Sequence, residues 1–276
     1  IDWMHPDSFA LTIERRLNQT RRAFLRYVFH EVRVPLNSIT LGIAILDRSS
    51  NLEEQERESL MMMHDAAEFM SCTLNDVLSM QKIEEGKLEL VFNNFSIRDA
   101  ITSISKTFEG PCRRKHISLR VNYAPNIPEA LLGDRFRIEH VIANFLSNAV
   151  KFSPEGSTIT LEVDGNPIRT EVPPELMDGT SPVTEQPLMN EITVRVKDEG
   201  VGISVEDQSK LFSSYMQLNP GEMQSGGGTG VGLAICKEVV EIHGGTIGCH
   251  SVPGNGCTFY FTIPFIVAQS QRTIYQ

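Results

Sequence analysis

The stretch LRYVFHEVRVPLNSITLGIAIL, residues 25–46, decides how the first part of the chain folds. Apolar side chains fall at Leu25, Phe29, Val32, Leu36, Ile39, Ile43 and Leu46, with gaps of 4, 3, 4, 3, 4 and 3. Alternating steps of four and three keep an apolar seam on one side of a helix, the signature of packing in a coiled coil or bundle. The pattern returns at Leu60, Met63, Ala67, Met70, Leu74 and Val77. Between the two, the polar run Asp47 to Asn51 reads as a turn, with Asn51 and Glu54 in the positions of a capping box. These residues predict a helical hairpin. Two helices bury little apolar area, so pairing of two hairpins into a four-helix bundle is expected, which implies a homodimer. His30 follows the seam residue Phe29 and should lie at the flank of the seam, partly exposed, with Glu31 beside it. Pro35 removes the hydrogen bond to the Glu31 carbonyl and predicts a kink near His30. Ala10, Ile13 and Leu17 continue helical spacing upstream, so residues 1–20 read as an incoming signalling helix.

From about Lys87 the pattern changes. Strand-like runs occur at Lys87–Phe92, Ser118–Tyr123, Thr158–Val163, Glu191–Lys197, Thr246–His250 and Cys257–Ile263. Helical patterns run through Ile97–Phe108, Asp134–Phe152, Val205–Gln217 and Val231–His243. Strands covered by helices on one face predict an α/β sandwich with a mixed sheet. Residues 165–190 hold Pro167, Pro173, Pro174, Pro182 and Pro187 and are expected to form an extended loop.

Composition narrows the function. A net charge of −10 argues against nucleic acid as the main partner, because phosphate backbones need a basic surface. Five scattered cysteines without a CxxC pair read as reduced thiols, which points to a cytoplasmic setting. No run approaches the ~18 apolar residues of a membrane helix. The chain starts with Ile1, so it is read as a fragment of something longer, with room for a sensor or anchor upstream.

The chemistry-bearing residues cluster in three places beyond the hairpin. Asn144 and Asn148 lie one turn apart on a predicted helix, and Lys151 lies three residues on. An amide carbonyl at Asn148 suits Mg²⁺, which takes oxygen ligands and keeps several waters. Asn144 can hold a metal-bound water or a phosphate, and Lys151 can reach phosphates as a point charge. Asp198 opens the glycine turn Asp198-Glu199-Gly200-Val201-Gly202, where a buried carboxylate can accept a hydrogen bond from an adenine amino group and glycines permit close approach. A second loop, Gly226-Gly227-Gly228-Thr229-Gly230-Val231-Gly232, runs into a helix whose first amides favour triphosphate. Each feature alone has a plainer reading: a solvated His–Glu pair, a surface amide pair, an ordinary turn, a flexible linker. Their occurrence together and in this order favours an ATP site.

In that order the chain resembles the two-component sensor histidine kinases, with a catalytic domain of the GHKL ATPase type. Phe24-Leu25 through His30-Glu31-Val32-Arg33-Val34-Pro35-Leu36-Asn37 matches the H box, and Asp134 and Arg137 through Phe152 match the N box. Asp198 to Gly202 match the first glycine box, Leu211 to Gln217 the F box, and Gly228-Thr229-Gly230-Val231-Gly232-Leu233 the second glycine box. The resemblance implies a dimerisation and phosphotransfer hairpin over 21–86, an ATP-binding domain over 87–266 and a tail over 267–276. It implies ATP and Mg²⁺ as cofactors, His30 as phosphate acceptor with Glu31 beside it, and a response-regulator receiver aspartate as the next acceptor. It adds Phe152, Phe212, Tyr215, Gly228, Thr229 and Leu233 to the nucleotide site, and suggests the kinase core of a hybrid kinase. Two other readings stand beside it: another GHKL-type ATPase with water as acceptor, or a degenerate dimeric scaffold. The sequence departs from the family pattern at Val34, where a Thr or Asn usually positions water for removing phosphate from the partner. Phe29, His140 and Tyr215 also depart from the usual Ser, Gln and Phe.

Overall fold

A computed structural model describes residue 28 and residues 32–47, 53–168, 188–213 and 231–268. The chain divides into two compact units, Ile1–Leu88 and Glu89–Gln276. Among the described residues, no helix is long and apolar enough to cross a membrane.

In the first unit, helix α1 (32–47) and helix α2 (Glu54–Glu84) form the hairpin's arms. Leu36 and Ile43 of α1 are buried with Leu60 and Ala67 of α2, and Leu74 packs against them. Arg33 Nη2 donates to Asn75 Oδ1 at 3.0 Å. The seam is therefore split. Leu36 and Ile43, and Leu60 and Ala67, each pair seven residues apart, are buried and Leu74 is partly buried, while Ile39, Leu46, Met63 and Met70 stand about half-exposed. Helix α2 starts later than the Asn51 reading placed it: Glu53 is the N-cap and its N–H donates to Glu56 Oε2 at 2.9 Å. A glutamate at the third helical position reaching back satisfies one of the orphan donors of the first turn. Residues 1–20, His30, Glu31 and Asn51 lie outside the described residues.

The second unit is built on a seven-stranded sheet in the order β1-β3-β7-β5-β4-β2, with β6 also paired to β7. The strands are β1 (Asn93–Phe95), β2 (Ser118–Tyr123), β3 (Leu131–Gly133), β4 (Thr158–Ile168), β5 (Met189–Lys197), β6 (Thr246–Ser251) and β7 (Cys257–Val267). One long edge of β7 pairs with β5, from Met189↔Ile266 to Lys197↔Thr258. Its other edge takes β6 along Cys257–Thr262 and β3 at Ile266 and Val267. All pairings are antiparallel except β2 with β4. The sheet is mixed, as expected, with one parallel pairing among antiparallel ones.

Helices α3 (Ile97–Arg114), α4 (Arg135–Phe152) and α6 (Gly232–Ile242) bury their apolar stripes against the sheet. Period-two burial marks the covered face: Ile159, Leu161 and Val163 of β4, Ile192, Val194 and Val196 of β5, Phe259, Phe261 and Ile263 of β7. Helix α4 answers with Ile138, Val141, Ile142, Phe145, Leu146 and Ala149 at helical spacing. Phe145 packs on Phe259 with ring centroids 5.3 Å apart.

Several predicted limits shift. Lys87–Phe92 is not a strand; β1 follows it at Asn93–Phe95, and β3 has no counterpart in the predicted elements. Helix α3 continues past Phe108 through Pro111 to Arg114, because its last turn buries Cys112 and Pro111 forfeits only one amide bond. The expected helix Val205–Gln217 is a short α5, Val205–Gln208, followed by turns to Leu211 and Phe212, with 214–217 outside the described residues. The expected loop 165–190 is narrower: Gly165–Ile168 pair with Met189–Ile192 and prolong the β4–β5 hairpin. Among the described residues β2 pairs with β4 only as far as Val163, so Pro167 interrupts no described ladder on that side.

Candidate functional site

Helix α4 carries the two asparagines, and both of its ends are fixed. At the start, Asp134 is the N-cap: its Oδ1 accepts from the Arg137 N–H at 3.1 Å and its Oδ2 from the Val91 N–H at 3.0 Å. The Asp134 N–H donates to His243 Nε2 at 3.4 Å, and His243 Nδ1 donates to the Val239 carbonyl at 2.7 Å. His243 is thus held as a neutral imidazole with its proton on Nδ1. Burial pushes its pKa below the usual histidine value, against smaller upward pulls from the Val239 carbonyl and Asp134. At the other end, Lys115 Nζ donates to the carbonyls of Val150, Lys151 and Ser153 at 2.9, 3.0 and 3.2 Å. A cation there satisfies orphan carbonyls and meets the negative end of the helix dipole.

Between these ends, Asn148 Nδ2 donates to Asn144 Oδ1 at 3.3 Å, so the two amides share one face as their spacing requires. Lys151 Nζ lies 5.1 Å from the centre of the Phe152 ring. The glycine turn meets the end of this helix. A Cβ on Gly200 would sit 2.8 Å from the Phe152 carbonyl oxygen, so only glycine allows this approach. Asp198, 4% exposed, is held through Oδ1, which accepts from the Gly200 N–H at 2.8 Å and the Cys257 N–H at 3.2 Å. Burial raises the Asp198 carboxyl pKa, and these two backbone bonds oppose the rise. Helix α6 closes the group. A Cβ on Gly232 would lie 2.2 Å from Asn144 Nδ2, which places the first turn of α6 directly on the asparagine pair. Val231 is the N-cap, and its own side chain makes no capping hydrogen bond.

Three elements therefore converge: the second half of α4, the 198–202 turn and the N-terminus of α6. They bring together Asn144, Asn148, Lys151, Phe152, Asp198, Gly200 and Gly232. Gly202 has a different part. It adopts φ +73° and packs against the Val252 carbonyl, shaping the turn from behind. Phe212 and Leu233 are partly buried, with no described hydrogen bond into the group. Tyr215, Gly228, Thr229 and Gly230, like His30 and Glu31, lie outside the described residues. A cavity of about 460 Å³ beside Asn126, Ile127 and Asn190 includes none of these positions. Lys115 escapes a reading of the sequence, because a lysine just after an amphipathic helix gives no sign of which carbonyls it will reach.

The comparisons with known proteins agree with this geometry. Residues 133–266 match the family described as histidine kinase-, DNA gyrase B- and HSP90-like ATPase, and residues 20–86 match the His Kinase A (phospho-acceptor) domain. Hybrid signal transduction histidine kinase B of Dictyostelium discoideum is 32% identical over 93% of this chain and 12% of its own length. Histidine kinase 5 of Arabidopsis thaliana is 32% identical over 91% of this chain and 28% of its own. Signal transduction histidine-protein kinase BarA of Escherichia coli (strain K12) is 31% identical over 87% of this chain and 24% of its own. The chain spans under a third of the length of these relatives. Full-length ShkA, solved in complex with AMPPNP, shares the fold with a TM-score of 0.62 at 22% identity, over 90% of this chain and 47% of that one. With a phospho-acceptor match ahead of an ATPase match, over the residues that form the hairpin and the asparagine site, the chain belongs to the sensor histidine kinases.

Proposed function

We propose that this chain is an ATP-dependent protein-histidine kinase core: it phosphorylates His30 and passes the phosphoryl group to an aspartate of a receiver domain. The observation that carries the reading is the asparagine pair Asn144–Asn148 lying against the first turn of α6, with the Asp198–Gly202 turn packed on the end of the same asparagine helix. Residues 21–86 would serve dimerisation and phosphotransfer, and 87–266 nucleotide binding, in a cytoplasmic setting. Two chains would pair through the half-exposed seam of the hairpin to complete a four-helix bundle.

The donor set fits Mg²⁺ and ATP. Asn148 spends its Nδ2 on Asn144, which leaves its carbonyl oxygen, a hard donor of the kind Mg²⁺ prefers. Bound there, Mg²⁺ would neutralise charge on the phosphates. Asn144 and Lys151 would bind phosphate oxygens. Asp198, its Oδ1 fixed by two backbone N–H groups, would accept from the adenine amino group. The α6 N-terminus, with Gly228, Thr229 and Gly230 before it, would offer amides to the triphosphate, and Phe152, Phe212, Tyr215 and Leu233 would line the site. The imidazole of His30 attacks the γ-phosphorus through one ring nitrogen while ADP leaves. Glu31 accepts the N–H of the other ring nitrogen, fixes the tautomer and stabilises the positive charge that develops.

The test is incubation with γ-labelled ATP and Mg²⁺. An acid-labile label is expected, lost in His30→Gln while Mg–ATP affinity stays unchanged. Label that persists in His30→Gln refutes the acceptor, and ATP turnover with no labelled protein favours the water-using ATPases.

A further inference from the structure

Two thiols meet behind the adenine carboxylate. Cys249 of β6 and Cys257 of β7 bring their sulfurs to 3.0 Å, and both are free cysteines. Cys257 is 6% exposed and Cys249 is partly exposed, so the pair can be approached from the Cys249 side. The two sulfurs share a hydrogen bond in which either thiol can donate. That bond is the main reason the Cys257 thiol sits below, and the Cys249 thiol above, the ordinary range. One sulfur of the pair is thus predisposed to be the thiolate and the other to hold the proton, which is what a nucleophile and a resolving thiol need.

We infer that Cys249 and Cys257 form a redox modification site, a dithiol that a peroxide converts into a disulfide and that acts on Asp198 through the backbone of Gly256 and Cys257. The Cys257 thiolate attacks one oxygen of hydrogen peroxide. The S–O bond forms, the O–O bond breaks and hydroxide leaves, taking up the proton that the Cys257 thiol released on ionising. The Cys249 sulfur then attacks the resulting sulfenic acid, the S–S bond forms and water leaves. Two thiols are oxidised and one peroxide is reduced to two waters.

Strand register makes the bond consequential. Cys249 faces Phe259 and Cys257 faces Ser251, so the thiols meet across a diagonal of the antiparallel ladder. Diagonal Cα atoms lie roughly 7–8 Å apart, whereas a disulfide spans about 5.5–6 Å. Closing the bond must draw β6 and β7 together locally. The bond pulls on Cys257, the first residue of β7, whose N–H holds Asp198 Oδ1, and on Gly256 before it, which at φ +79° packs so closely that a Cβ would lie 2.0 Å from the Asp198 carbonyl oxygen. Asp198 cannot keep both contacts through such a shift.

The effect on nucleotide rests on the kinase reading; the dithiol chemistry does not. The experiment treats the reduced chain with hydrogen peroxide, maps disulfides by mass spectrometry, and measures hydrogen exchange over residues 198–203 together with Mg–ATP affinity by calorimetry. A Cys249–Cys257 bond is expected, with faster exchange in 198–203 and affinity lowered at least ~10-fold, about the loss of one charge-assisted hydrogen bond. Dithiothreitol should reverse all three. Cys249→Ser should bind Mg–ATP like the reduced wild type and ignore peroxide. A peroxide-treated chain in which these two cysteines are not joined overturns the inference, as does a joined pair with unchanged exchange over 198–203. If the reduced chain fails to bind Mg–ATP, the kinase reading falls, and the mapped bond and the exchange rates still decide the dithiol site.

Discussion

Asp198 is a carboxylate kept at 4% exposure, with one oxygen accepting from the Gly200 N–H of its own turn and from the Cys257 N–H of β7. Asp198→Asn keeps an oxygen for those donors but presents an amide donor where the adenine amino group needs an acceptor. The fold should hold and Mg–ATP affinity should drop ~100-fold, the scale of a buried charge-assisted hydrogen bond turned into a donor–donor clash. Calorimetry beside a thermal melt separates the two effects, and unchanged affinity would remove Asp198 from the site. Gly232 tests the opposite wall. In Gly232→Ala the new methyl lands on Asn144 Nδ2 and must push that side chain off Asn148. Nucleotide affinity should fall several-fold with little loss of melting temperature, because the displaced atom is the end of a side chain that can rotate. Val34 concerns a different reaction. It stands 57% exposed on α1, four residues beyond His30, with no donor or acceptor to orient water. The chain should therefore be a poor phosphatase toward a phosphorylated receiver while keeping kinase chemistry, and Val34→Thr should raise receiver dephosphorylation measured in the presence of ADP. Rapid dephosphorylation by the wild type, with no gain from Val34→Thr, would sink that idea.

At the scale of elements, α4 and α6 are tied together by the Asp134–His243 bond, at the N-terminal end of one helix and the C-terminal end of the other. The ring sits between Phe92 and Phe265, and the nearby charge is Asp134. Because burial depresses the folded-state pKa of His243, its contribution is fully present above the unfolded value of about 6.5. As pH falls below that, the unfolded chain takes up the proton first, and stability drains away until the folded imidazole is protonated too. The melting temperature should fall between pH 7.5 and pH 5.5, and His243→Gln should flatten that slope; an equal slope in both proteins would assign the loss to other groups. This tie was not legible in the sequence, since nothing local marks a bond between residues 109 positions apart. The elements that could be read were those with strong periodicity. The α4 stripe and the alternating burial of β4, β5 and β7 follow from residue spacing, and so does the facing of Asn144 and Asn148. β1 and β3 could not be read, because three-residue strands are too short to show a period and exist through pairing with each other and with β7. The far ends of β4 and β5 were hidden for the same reason: pairing with neighbours outweighs Gly165 and Pro167. The hairpin seam was visible as a heptad, but its division into a half buried within the chain and a half left open depends on which helix face the turn brings inward.

At the scale of the whole molecule, the division into Ile1–Leu88 and Glu89–Gln276 assigns the candidate acceptor His30 and the asparagine site to different units of the chain. Every described hydrogen bond that shapes the asparagine site, from Lys115 to Cys257, lies within the second unit. The open half of the hairpin seam lies within the first, with Ile39 and Leu46 on α1 and Met63 and Met70 on α2. Burying an apolar side chain of this size contributes roughly 1.5–3 kcal/mol, so four such positions on each of two chains could hold a dimer, and a charge at two of them should abolish it. Ile39→Glu with Met63→Glu is therefore expected to run as a monomer in sedimentation analysis at concentrations where the wild type is a dimer. The same protein should bind Mg–ATP with wild-type affinity, because the described hydrogen bonds that hold Asn144, Asn148 and Asp198 all lie within the second unit. Its labelling on His30 then carries information about direction. Loss of label with affinity intact would mean that a second chain supplies the nucleotide for each histidine, whereas retained label would mean that each chain serves its own. A wild type that is already monomeric, or a double variant that stays dimeric, would refute the seam as the dimer contact.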